Sequence, residues 1–319
     1  MFDFATRSKY SAGRHVWLMM SVAMLLPIAA CNKQGSATAP AGPRTFASPE
    51  DAGTALADAA KSQNQDQLQQ IFGSGSSDII SSGDAADDKA SLNGFAQAYQ
   101  VMNRWRKLSD GSEVLIVGAD NQGFPIPLKK NAAGQWYFDA AAGKDEILSR
   151  RIGRDEITAI SVCAAVVDAQ HQYFAQRHDG VDQYAQQFIS NPGQQNGLYW
   201  PEVQGQPKSP LGPLVAYATS EGYKVQADKH QPFYGYYFAM LEKQGSGATG
   251  GAKDYVTNGK MTGGFAVVAY PAQYGDSGVM TFMADQNGQL LQKDLGKATD
   301  QVAAAMTEFN PDKTWTIVE

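Results

Sequence analysis

The sequence predicts an α+β fold, because helical and strand patterns occupy separate stretches instead of alternating. Three observations carry this. Ile157, Ile160, Ala164, Val167, His171 and Phe174 recur at three- and four-residue steps, the period of a helix face. Strand-length apolar runs follow at Phe233–Glu242, Gly264–Tyr270, Val279–Asp285 and Leu290–Lys293. Between the last two, Asp285-Gln286-Asn287-Gly288 is a hairpin turn, since Asn-Gly accepts positive φ at both central positions.

In chain order, Arg7, Lys9 and Arg14 precede an uncharged apolar stretch, Val16 to Ala30. That stretch is too short to cross a bilayer core, which needs about 20 residues. A positive leader, a short apolar run and small residues before a cut site form a secretory signal. Ile28-Ala29-Ala30-Cys31 resembles the acceptor pattern of bacterial lipoproteins. The resemblance implies a diacylglyceryl group on Cys31, cleavage before it and acylation of the new amine. Several acyl chains anchor stably where one does not. Asn32, not Asp, follows the cysteine, which by analogy with lipoprotein sorting implies the periplasmic face of the outer membrane. Residues 1–30 are then a signal peptide and 31–45 a lipidated tether, rich in Gly, Ser, Ala and Pro.

Loss of the signal leaves 289 residues and lowers the net charge from −6 to −8, because the signal holds three basic residues and one acid. An acidic chain of this kind argues against nucleic acid or an anionic lipid surface as partner, since both reward a basic face. With Cys31 acylated, Cys163 has no disulfide partner. It sits among Ile160, Ala164 and Val167 as a buried structural thiol.

The first folded region spans residues 46–142. Ser48-Pro49-Glu50-Asp51 opens a helix with a capping serine, proline at the first helical position and acids in the first turn. Leu56, Ala59, Ala60, Leu68 and Ile71 form its apolar face. Gly73 to Asp88 reads as a mobile loop whose acids, Asp84, Asp87 and Asp88, are solvated and lack the pattern of a calcium loop. A second helix, about Ala90 to Lys107, presents Phe95, Tyr99, Met102 and Trp105 or Arg106. Strands at Glu113–Val117, Phe124–Leu128 and Gln135–Asp139 follow, the first two flanking the turn Asp120-Asn121-Gln122-Gly123. Two helices and a meander in this order resemble nuclear-transport-factor-2-like domains.

The second region, residues 143–319, opens with the long helix. Tyr236-Tyr237-Phe238, the segment Ala269 to Gly278, and Phe282, Asp285 and Gly288 in an F-x-x-D-x-x-G pattern follow it. This arrangement resembles the globular part of type IV pilin-like proteins. Here the helix is internal, so the fibre-forming role does not carry over. From Phe46 to the end, Gly222-Tyr223, Gly235-Tyr236-Tyr237-Phe238, Gly263-Gly264-Phe265 and Tyr270-Pro271-Ala272-Gln273-Tyr274-Gly275 resemble an uncharacterised bacterial family of exported proteins, the domain of unknown function numbered twenty-nine fifty. No activity comes with that resemblance. Its members are often encoded beside another exported protein, which implies an envelope protein partner.

No complete catalytic constellation emerges, and no cofactor motif: there is neither a phosphate-binding glycine loop nor a dinucleotide fingerprint. Gly275-Asp276-Ser277-Gly278 resembles the nucleophile segment of chymotrypsin-like proteases, but Val279 and Met280 stand where that segment has glycine and proline. It reads as a turn. His171 and His178 lie seven apart on the long helix, about 10 Å, too far for the usual metal pair. Asp276, Asp285 and Asn287 are weak calcium candidates, implied by calcium sites in pilin-like relatives. Tyr234, Tyr236, Phe238, Tyr270 and Tyr274 form a candidate aromatic binding surface. The expectation is a membrane-tethered, non-catalytic binding or scaffolding component. A periplasmic hydrolase of glycan or peptide, and an accessory of a pilus or secretion apparatus, are the alternatives.

Overall fold

The computed structural model describes residues 42–224 and 231–318. The signal, Cys31 and most of the tether lie outside them, as does His230. Helices and mainly antiparallel sheets make up an α+β fold, as the sequence predicts. Among the described residues no helix is long and apolar enough to cross a membrane.

Helix α1 (Pro49–Lys61) begins as expected, with the Ser48 hydroxyl accepting the Asp51 amide at 3.1 Å. It is shorter than expected. Gln63 takes φ +53°, and Asn64 caps a separate helix α2 (Gln65–Phe72) by accepting the Gln67 amide. The five apolar residues predicted for one helix are divided between these two, and all are buried. The expected mobile loop is instead helix α3 (Ser77–Ile80) and the start of α4 (Ala85–Val101), capped by Asp84.

Strand β1 (Asn103–Lys107) replaces the expected end of the second helix. The alternation Arg104-Trp105-Arg106 suits a strand, with Trp105 turned in toward Phe138 at 6.4 Å between rings. Strand β2 (Glu113–Val117) pairs with β1 and with the short β3 (Gln122–Gly123). The expected strand over Phe124–Leu128 is broken, because Pro125 and Pro127 have no amide to donate. Pairing resumes in β4 (Leu128–Lys130) and β5 (Trp136–Phe138).

Helix α5 (Ala140–Ala175) is 36 residues long, about 54 Å. Gly143 lets it start flush against the preceding chain, where a Cβ would stand 2.7 Å from Ile126 Cα. The buried stripe only partly matches the predicted one. Val167 is buried as predicted and Ile160 and Phe174 are partly buried, but Ile157, Ala164 and His171 are exposed, and Ala159, Val162, Cys163, Val166, Ala169 and Tyr173 face inward. Gln170 joins the buried face because its amide group bonds both backbone groups of Ala185, at 2.7 and 2.8 Å. Cys163 is buried, and burial pushes its thiol up to about 12.

Beyond α6 (Gly212–Ser220) comes β6 (Tyr236–Leu241). Two short hairpins follow, β7 (Lys243–Gln244) with β8 (Lys253–Asp254) and β9 (Val256–Thr257) with β10 (Lys260–Met261). Then come β11 (Ala266–Pro271), β12 (Met280–Asp285), β13 (Leu290–Asp294), α7 (Thr299–Ala304), β14 (Glu308–Phe309) and β15 (Thr316–Ile317). The main sheet runs β15-β13-β12-β11-β6, antiparallel throughout, with α5 packed across β11 to β13. The β12–β13 turn is where predicted, but only Gly288 has positive φ. The Asp285 carboxylate holds the turn by accepting the Asn287 and Gln289 amides.

Two hydrophobic clusters result. One joins α1, α2, β4 and β5 around Phe72 and Phe138, and a larger one joins α5 to the main sheet. The helix α5 serves both, with Ile147 on the first and Ala159 to Tyr173 in the second.

Candidate functional site

Acids read as solvated converge on α5 between the two clusters. Asp84 and Asp87 are each only 4% exposed. Asp84 Oδ1 caps α4, accepting the Ala86 and Asp87 amides. Its Oδ2 accepts the Tyr223 hydroxyl at 2.8 Å and the Gly235 amide at 3.3 Å. Asp88 accepts the Ser82 amide and hydroxyl on one oxygen and the Ser81 hydroxyl on the other, all at 2.7–2.8 Å. Asp87 Oδ2 accepts Arg154 Nη2 at 2.6 Å.

From α5, Arg154 also donates to Asp155 and to the Ser91 hydroxyl. Arg151, 9% exposed, donates to the Asp276 carboxylate and to the Asp78 carbonyl. Lys144 pairs with Asp78, and Glu156 Oε1 accepts the amides of Val279 and Met280 at 3.0 Å. One helix thus gathers partners from α4 and from the β11–β12 connection. Burial raises the carboxyl pKa of both Asp87 and Asp276 against the pull of their arginines.

Opposite lies a strained turn. Phe233 and Tyr236 exchange backbone bonds at 2.8 and 3.2 Å around Tyr234 and Gly235, which have φ +46° and +70°. That is the type I′ geometry, and an aromatic at its first position is costly. The Tyr223 hydroxyl steadies it by accepting the Tyr234 amide. Gly235 is required twice over. Besides its φ, a Cβ there would stand 2.7 Å from Ser277 Cβ and 2.9 Å from Asp155 Oδ2.

Asp155 is fully buried, and its Oδ2 has no hydrogen-bond partner among the described residues. Burial raises its carboxyl to about 7, with Asp87 adding to the rise and Arg154 opposing it.

Beside this network opens a cavity of about 470 Å³. Its apolar wall comes from Leu56, Leu68, Phe72, Leu92, Phe95, Phe124 and Ile147. Its polar side holds Asp87, Asp88, Ser91, Arg150, Arg151 and Arg154. Convergent polar groups beside an apolar wall are the ordinary make-up of a ligand site.

The residues singled out from sequence fall elsewhere. Tyr236 and Tyr270 are core residues, Tyr234 is buried in the turn, and Phe238 and Tyr274 are half-buried. The Tyr274 hydroxyl donates to Asp294. These five form no exposed aromatic platform, because the strand opens at Tyr236 and its aromatics pack into the larger cluster. Of the calcium candidates, Asp276 serves Arg151, while Asp285 and Asn287 are bonded to each other in the β12–β13 turn. Among the described residues no group of three or more His, Cys, Asp or Glu is placed to hold a metal. Ser277 is buried in a turn, its hydroxyl donating to the Gly235 carbonyl at 2.8 Å. The helix ends at Ala175, so His178 is not on it. His178 stacks on Tyr173 at 3.6 Å, and burial lowers its pKa, while His171 bonds the Gln286 carbonyl.

A family model described as protein of unknown function (DUF2950) matches residues 43–318. No curated protein matches the chain, and no solved structure does. Three of the segments that carry the resemblance (Gly222-Tyr223, Gly235 to Phe238 and Tyr270 to Gly275) border the buried network through Tyr223, Gly235 and Gln273.

Proposed function

The chain belongs to the DUF2950 family of unknown function, and we propose that it is an envelope-anchored lipoprotein acting as a non-catalytic binding or scaffolding component. The lipid sits on Cys31, and the tether carries the folded part from the periplasmic face of the outer membrane. The observation that carries the binding role is the cavity against α5. It joins an apolar wall to a charged rim, while the acids on that rim are committed to structural bonds. Asp88 is held by two serines and Asp87 by Arg154, which favours recognition over proton transfer.

Crosslinking in living cells, with Cys31 intact and with Cys31→Ser, tests this. A stoichiometric envelope partner lost on Cys31→Ser supports a membrane-localised assembly. Absence of a partner from both forms overturns the scaffold role. A second reading, hydrolysis of glycan or peptide, draws on Asp87 and Asp88 beside Phe95 in the cavity wall. Turnover of peptidoglycan fragments that disappears in Asp87→Asn would favour it.

A further inference from the structure

We infer that the cavity between α1, α2, α4 and the first half of α5 takes a single-chain amphiphile, with its alkyl tail on the apolar wall and an anionic oxygen-acid head against Arg150. The inference rests on the binding role proposed above. A volume of about 470 Å³ lies within the roughly 300–1,000 Å³ typical of small-ligand sites.

The tail follows from the wall. Ile79, Ile80, Leu92, Phe95, Phe124 and Ile147 pack on the smaller cluster yet stay only partly buried. They come from four separate stretches of chain and converge on one hollow. Apolar surface gathered this way gains from a cover that removes it from water. Charged groups, not further apolar surface, bound its other side.

The head follows from hydrogen-bond accounting at that rim. Both Asp88 oxygens are taken by Ser81 and Ser82, and Asp87 holds Arg154. Arg151 is spent on Asp276 and the Asp78 carbonyl, and Arg154 on Asp87, Asp155 and Ser91. Arg150 differs. It is about half exposed, gives Nε to Glu146 and Nη1 to the Gly123 carbonyl, and has Nη2 left over among the described bonds. The rim therefore has guanidinium donors in excess and its carboxylates already committed. A cationic head would meet three arginines, whereas a carboxylate or phosphate suits the donor fork. Carboxylate and phosphate share this chemistry, so the test contains both.

The full chain carrying Cys31→Ser, purified without detergent, is titrated calorimetrically with dodecanoate, dodecyl phosphate and dodecyltrimethylammonium below their micelle concentrations. One anionic chain should bind per protein, with the cation about tenfold weaker or more. The tighter anion identifies the head. Arg150→Gln should weaken the anions by about tenfold and erase the preference over the cation. Leu92→Trp should fill the cavity and abolish binding with the melting temperature retained. Should that variant not fold, a series from octanoate to dodecanoate in the unaltered cavity replaces it, expected to tighten about fourfold per methylene at most. Equal binding of cation and anion, no binding to the folded chain, or a flat chain-length series overturns the inference. A crosslinked partner without amphiphile binding would remove this inference alone, and amphiphile binding without a partner would remove only the scaffold role.

Discussion

The two hydrophobic clusters of this chain are finished to different degrees. In the larger one all six residues of β11 are buried, Phe265 and Tyr255 are fully enclosed, and Phe282 is 1% exposed. In the smaller one Leu56, Ile71 and Phe138 are equally sealed, but Leu92, Phe95 and Phe124 on the same cluster are only partly covered. The difference separates a part of the molecule sealed from water from one whose apolar surface stays partly open to it. Between them stands a third kind of region, where two arginines of α5 meet acids from both directions. Breaking buried apolar packing and breaking that ionic seam should therefore produce different signatures.

The largest effect is expected in the sealed cluster. Phe282→Ala should cost about 3–5 kcal/mol in denaturant unfolding, since little can collapse into the space left between the sheet and its neighbours. A loss below about 1 kcal/mol would show that this cluster is as loosely finished as the other. Next comes the seam. Asp276→Ala leaves the Arg151 guanidinium with main-chain carbonyls alone and should cost about 2–3 kcal/mol, less than a fully buried pair because Asp276 keeps a fifth of its exposure. An unchanged unfolding midpoint would mean the two clusters do not depend on the seam.

Asp155 gives the seam a pH signature. Its carboxyl is raised from 3.8 to about 7 in the folded chain, so the folded state takes up a proton that the unfolded chain does not across that window. The group's contribution to stability is full below about 3.8 and is lost as pH rises toward 7. Asp155→Asn carries no such titration. The melting temperature of the variant should thus rise relative to the parent between pH 4 and pH 7 and hold steady above, with a flat difference refuting the assignment. The smallest effect belongs to the open cluster. Leu92→Ala should cost only about 1 kcal/mol, because its side chain is already partly in water. A cost near that of Phe282→Ala would mean the cavity closes in solution.

Much of the fold was legible where a signal acts over a few residues. Ser48-Pro49 opens α1, Asp285 to Gly288 turns the chain, Glu113–Val117 is a strand to the residue, and Cys163 is buried. Local patterns misled where two readings share a composition. The run Asn103–Lys107 continues the three- and four-residue spacing of Phe95, Tyr99 and Met102 to Trp105, yet its charged-apolar-charged alternation joins β2. On α5 the polar Gln170 escaped notice as an inward residue, because its burial depends on bonds to Ala185, 15 residues away.

The sequence by itself determined the class of fold, the family and the elements whose caps and turns are written in adjacent residues. Only the tertiary structure decided the site. Asp84, Asp87 and Asp88 stand in a stretch of Gly, Ser and Asp that has every mark of a solvated loop. Whether such carboxylates remain in water or go inside depends on whether donors arrive to meet them. Those donors lie far along the chain: Arg154 is 67 residues from Asp87, Tyr223 is 139 from Asp84, and Gly235 is 151 from it. Burying a charge is favourable only once its partners are in place, and no short-range pattern announces a partner so distant.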